Sequence, residues 1–151
     1  MLREISLQYS QTEETDISAR DYLDDGDIMI YLIAFASSDG VNIDRHFGNA
    51  EKFYIVKLDT RKLDGDIVEQ KTVSPACMGG IHEISGFDGV LEALGGVSAI
   101  VAQRIGNGAR EYVTQKGIAV YQMPLQIEQA LCLLMEEKQW EVDKWLSHTK
   151  N

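Results

Sequence analysis

Residues 28–36 constrain this chain more than any other segment. They form a near-continuous apolar run, Ile28-Met-Ile-Tyr-Leu-Ile-Ala-Phe-Ala36, without an acidic residue. A short run of this kind, closed by turn residues, reads as a strand buried on both faces at the centre of a sheet. The closing residues Ser37, Ser38, Asp39 and Gly40 have the side chains that turns use. Alternation over 52–58 and 66–73, with a turn at 60–65, predicts two further strands in an antiparallel meander.

The rest of the chain changes period. A short helix is predicted over 87–94 with Gly95-Gly96 as its stop, then a strand over 97–102. A glycine-rich turn leads into a helix ending at Gly117, followed by a strand over 118–122. A last helix starts at Pro124 or Leu125 and reaches about Lys138, and 140–146 continues or restarts it. Consecutive strands followed by alternation predict an α/β fold, a five-stranded mixed sheet flanked by helices with right-handed crossovers between its parallel strands. The expected organisation is an acidic N-terminal extension or linker over 1–27, a main domain over 28–138 and a C-terminal helical tail over 139–151.

Charge limits the partners. The formal net charge is −10, which disfavours generic binding to nucleic-acid backbones. Residues 1–27 hold 8 acidic and 2 basic side chains, so much of the negative charge sits in the extension, which reads as solvated. An anionic ligand of the main domain would need local cations or amide donors. No apolar run is long enough to span a bilayer and no signal pattern opens the chain, so no membrane association and a cytoplasmic location are expected.

Candidate chemistry lies in three loops. His46, in Asp44-Arg-His-Phe-Gly48, is either a turn residue or a metal ligand and hydrogen-bond donor. Gly106, Asn107 and Gly108 open a helix, where backbone amides meet anions, although a plain strand-to-helix turn explains them equally well. Arg104 could add positive charge there. Cys77 and His82 share a Gly-rich loop; a thiolate suits iron–sulfur species, but their spacing matches no zinc motif. The other cysteine, Cys132, lies in the apolar run Ala130-Leu-Cys-Leu-Leu-Met135 and is predicted to be core. His148 reads as solvated.

Enzyme classes find little support. The first strand lacks the carboxylates of a two-metal nuclease, and Asp39 and Asp44 read as turn residues. There is no Gly-x-Ser-x-Gly elbow, no phosphate-binding Gly-Lys-Ser/Thr motif and no dinucleotide fingerprint after the first strand.

The Ser-Asp-Gly turn after the first strand, the His46-Phe47-Gly48 step and the Ile105-Gly106-Asn-Gly-Ala109 segment together resemble the dinitrogenase iron–molybdenum cofactor biosynthesis family, the NifX/NafY-like proteins. The resemblance covers about residues 29–135. It implies a ribonuclease-H-like fold and a non-enzymatic carrier or storage protein for the iron–molybdenum cofactor or its iron–sulfur precursor. It implies cofactor-assembly proteins or apo-dinitrogenase as partners, with His46 as the leading cluster-binding residue. Cys77 and His82 are then possible metal ligands, and Gly106, Asn107, Gly108 and Arg104 possible cofactor contacts. A cluster-free interaction or regulatory module of the same fold is the alternative.

Overall fold

The apolar run forms strand β1 (Ile30–Ala36), in which every residue from Ile33 to Ala36 is buried. Such a strand needs a partner on both edges and cover on both faces, and the remaining elements provide them. The computed structural model describes residues 29–75 and 84–146. In chain order β1 is followed by β2 (Lys52–Asp59), β3 (Asp64–Thr72), α1 (Ile84–Leu94), β4 (Ala99–Ala102), α2 (Asn107–Gln115), β5 (Ala119–Gln122), α3 (Ile127–Glu136) and α4 (Gln139–Val142). The extension over 1–27, Cys77, His82 and His148 lie outside the described residues.

The sheet has the order β3-β2-β1-β4-β5. The meander β1–β2–β3 is antiparallel, with Ile33 opposite Val56 and Tyr54 opposite Gln70. On the other side β1 pairs parallel with β4, and β4 with β5. This is the five-stranded mixed sheet expected, with the ribonuclease-H-like strand order.

Alternation along β1 divides the core. Ala34 and Ala36 face a layer containing Phe87, Val90 and Leu94 of α1 and Ala109 and Val113 of α2. Ile33 and Phe35 face Ile127, Ala130, Leu131 and Leu134 of α3. Small residues on one side and large ones on the other let helices approach both faces of one strand. The segment after α3 restarts as α4 because Lys138 adopts φ 49°, which ends the preceding helix. It then buries Trp140 and Trp145 on the α3 side, where Trp145 meets Tyr31 edge-on at 5.5 Å between ring centres.

Some boundaries differ from the sequence expectation. Helix α1 begins at Ile84 rather than Phe87, and β3 starts two residues earlier than the alternation suggested. Helix α3 starts at Ile127 because Gln126 caps it: Gln129 Oε1 accepts the Gln126 N–H at 3.1 Å. Cys132 is a correction. The buried positions of α3 are 127, 130, 131 and 134, a helical stripe that leaves Cys132 exposed.

The loop leaving β1 is locked by its own side chains. Asp39 Oδ1 accepts the amides of Val41 and Asn42 at 2.8 and 2.9 Å, and Oδ2 accepts the Asn42 side-chain amide at 3.0 Å. Buried Ser37 accepts the Gly40 N–H at 2.9 Å, and Asp44 accepts both the amide and the hydroxyl of Ser38. Gly40 is needed here: its φ is +79°, and a Cβ would come 3.0 Å from the Tyr54 ring. The expectation that Asp39 and Asp44 do turn work therefore holds. The amide donors around Asp39 hold its carboxyl well below the usual carboxylate range.

A group with a depressed folded pKa stabilises above its unfolded value and loses that contribution as pH falls through the folded one. Wild-type protein should therefore lose stability as pH drops below about 4. Asp39→Ala should be less stable at pH 7 and show a shallower decline, read from urea midpoints across pH. A second pair tests the α3 register. Leu134→Ala, which empties a site 1% exposed, should cost about 2–5 kcal/mol in urea unfolding, whereas Cys132→Ala should stay within about 0.5 kcal/mol of wild type.

Candidate functional site

In sheets of this type ligands meet the carboxyl ends of strands where successive connections leave in opposite directions. Here β1 connects on toward β2 and β4 toward β5, on opposite sides, so the switch point falls between β1 and β4. Both sequence-predicted loops converge there. Beyond the strand ends, His46 and Arg104 form an isolated parallel bridge. The Gln103 N–H donates to the Arg45 carbonyl at 3.0 Å, and the Phe47 N–H donates to the Arg104 carbonyl at 2.8 Å. The bridge prolongs the β1–β4 ladder past both strands.

Side chains alternate across that extension. Phe47 and Ile105 turn inward; Phe47 is fully buried, 6.2 Å from the rings of both Phe53 and Phe87. Their neighbours His46 and Arg104 are exposed, and so is Arg45. Partners in a ladder project to the same face, so the imidazole and the guanidinium emerge side by side. An aromatic plug thus holds the backbone on which His46 stands. Among the described residues, no carboxylate lies within ion-pair distance of Arg45 or Arg104.

Arg104 leads within two residues into the N-terminus of α2. Gly106 is the N-cap, with an extended backbone and no side-chain capping bond. The first amides of α2 are therefore left for water or a ligand, and the helix dipole adds positive potential to the adjacent cations. The turn is braced from below: Gln122, the last residue of β5, accepts the Ile105 N–H on its Oε1 at 3.0 Å. Arg110 is engaged in the fold, its guanidinium donating to the Val120 carbonyl at 3.4 Å.

Neither Gly106 nor Gly108 is required by its backbone conformation or by packing within the described residues, although glycine suits the N-cap position. Neither has positive φ, and a Cβ built on either meets no atom of the described residues within 4 Å. Gly40, in contrast, is demanded by its backbone and by Tyr54. Glycines at open, ordinary helix-start positions let something outside the protein come close to the backbone.

The structure thus brings together His46, Arg104, Gly106, Asn107 and Gly108 from the sequence reading. Cys77 and His82 lie outside the described residues. Among the described residues, no three His, Cys, Asp or Glu side chains converge on one point suited to a metal ion. Two supporting residues went unrecognised in the sequence. Phe47 looked like part of a motif and is the anchor of the site. Gln122, a polar residue ending a strand, clamps the turn from a distant part of the chain.

Comparison with known proteins identifies the family. Residues 29–137 match the family model described as dinitrogenase iron-molybdenum cofactor. The chain is 31% identical over 87 residues to the FeMo cofactor biosynthesis protein NifB of Rhizobium meliloti, covering 58% of this chain and 17% of NifB. It therefore spans only about a sixth of that relative. It is 32% identical over 101 residues to the uncharacterized protein MJ0580 of Methanocaldococcus jannaschii, covering 66% of this chain and 82% of that protein. The crystal structure of PH0822 shares the fold at a TM-score of 0.51 and 20% identity, over 79% of this chain and 96% of that one. With its loops, bridge and glycine turn all inside the matched span, the chain belongs to the dinitrogenase iron-molybdenum cofactor family.

Proposed function

We propose that the protein is a non-enzymatic carrier, or store, for an iron–sulfur or iron–molybdenum cofactor or its precursor. The cargo sits on the exposed face of the His46–Arg104 bridge and passes from there to a cofactor-assembly protein or an apo-dinitrogenase. The observation that carries this reading is the bridge itself. It presents an imidazole and a guanidinium side by side at the strand switch point, next to uncapped amides of α2.

Each part has a chemical role toward such cargo. Neutral imidazole is a borderline-soft ligand for iron and, when protonated, a donor to sulfide or carboxylate. Arg104, Arg45 and the amides of Asn107 and Gly108 offset the negative charge of a cluster. That local positive field matters on a chain of net charge −10. Open glycines let the cargo approach the backbone. Cys77 and His82 are candidate ligands on the strength of the sequence. A site that binds mainly through donors, with few protein–metal bonds, leaves coordination positions open for an acceptor protein, as transfer requires. Membership in a family named for the iron–molybdenum cofactor, and likeness to NifB, support the choice of cargo. A cytoplasmic location accords with it.

The test is anaerobic incubation with isolated iron–molybdenum cofactor and, separately, with its iron–sulfur precursor, followed by desalting and iron quantification. Wild type should retain near-stoichiometric iron. His46→Ala should bind roughly tenfold to a hundredfold more weakly, the worth of one charge-assisted bond of about 1.5–3 kcal/mol. Folded wild type that retains neither cargo sinks the carrier reading. Gly108→Ala separates fold from binding. It should leave stability unchanged or raised by up to about 1 kcal/mol, because alanine is the better helix former, yet reduce retained iron by crowding the amide face.

A further inference from the structure

A second feature lies at the opposite end of the sheet. A hollow of about 610 Å³ opens between the start of β1, the β2–β3 turn and the α3–α4 junction. Its walls carry three cations, Arg61, Lys138 and Lys144, with one carboxylate, Glu141, and the apolar surface of Met29, Tyr31 and Leu63. Among the described residues none of the three cations lies within ion-pair distance of a carboxylate. Leu63, Lys138 and Lys144 are also the described non-glycine residues with positive φ, at 57°, 49° and 53°. Left-handed backbone is costly for side-chain-bearing residues, and here it is concentrated on a single concave surface. Three exposed cations against one carboxylate make the hollow locally positive on a chain of net charge −10, which favours an anionic occupant.

We propose that this hollow is the docking site of the chain's own acidic segment, residues 13–27. That stretch holds seven carboxylates (Glu13, Glu14, Asp16, Asp21, Asp24, Asp25 and Asp27) and one arginine, Arg20. It also holds Ile17, Tyr22 and Leu23, suited to the apolar wall. Reach is assured, because Met29, two residues after Asp27, is itself part of the wall. Fifteen residues extend to roughly 50 Å at about 3.4 Å each, far more than the hollow requires. Tethering at the rim gives the segment a millimolar-scale effective concentration, so weak exposed ion pairs suffice to hold it. The hollow adjoins the amino-terminal end of β1, whereas the His46 bridge lies beyond the carboxyl end. The docked segment therefore leaves the candidate cargo site open.

Hydrogen–deuterium exchange on the full chain, resolved by peptide, tests the proposal. At low ionic strength the amides of 13–27 should exchange roughly fivefold to tenfold more slowly than in a free peptide of the same sequence. About 0.5 M salt, with a screening length of roughly 4–5 Å, should abolish the difference. So should the combined variant Arg61→Gln, Lys138→Asn and Lys144→Asn, in which asparagine keeps the left-handed backbone acceptable. Asp24→Asn, Asp25→Asn and Asp27→Asn together should do the same from the other side, with every residue of the hollow left as it is. Joining both sets should remove no more protection than either alone. Amides of β1 and β4 should keep wild-type protection throughout. Free-peptide exchange in wild type at low salt overturns the proposal, as does protection that survives either set of substitutions. Protection that grows with protein concentration overturns it too, by assigning the segment to a second copy.

Discussion

The burial of Phe47 is the interaction on which the candidate site depends. Its ring closes the core layer shared by α1, α2 and the small-residue face of β1. Neighbouring His46 is exposed only because Phe47 is not. A hydrophobic term thereby fixes the position of a polar side chain. The backbone hydrogen bond from Phe47 to the Arg104 carbonyl then transmits that position to the second loop. Few polar contacts are needed at the surface because the geometry is set one layer below it.

The rest of the architecture serves the same arrangement. A central strand with parallel and antiparallel neighbours places two outgoing loops at one end. The first loop is braced by its own turn network and held to β2 where the Ser37 N–H donates to the Lys52 carbonyl at 3.4 Å, and β5 ties the second loop through Gln122. Charge is partitioned as well. Exposed cations stand at both ends of β1, Arg45 and Arg104 around the bridge and Arg61, Lys138 and Lys144 around the hollow, on a chain that is strongly acidic.

Much of this was legible in the sequence where the signal is local. The acid-free apolar run of β1, the turn chemistry of Asp39 and Asp44, and the glycine step into α2 each follow from neighbouring residues, and each holds in the structure. The family resemblance rested on the Ser-Asp-Gly turn after β1, the His46-Phe47-Gly48 step and the glycine step into α2, and was correct. Cys132 was misplaced because the run Ala130–Met135 is apolar on all sides, which hides the period that decides which residue turns outward. The start of α3 was misjudged because its cap is a glutamine pair, a weaker signal than serine or aspartate. The clamp of Gln122 on Ile105 and the pairing of His46 with Arg104 are contacts between distant segments, so no local pattern could announce them.

The bridge also has a kinetic meaning. Its two halves follow strands that sit side by side in the sheet but are separated in the chain by the whole of β2, β3 and α1. Contacts of such long sequence separation carry a larger loop-closure cost than the hairpin pairings of the meander. A chain that has formed its β1–β2–β3 meander but not yet docked β4 carries the histidine without the arginine or the helix amides. The complete constellation therefore exists only once the parallel half of the sheet has closed.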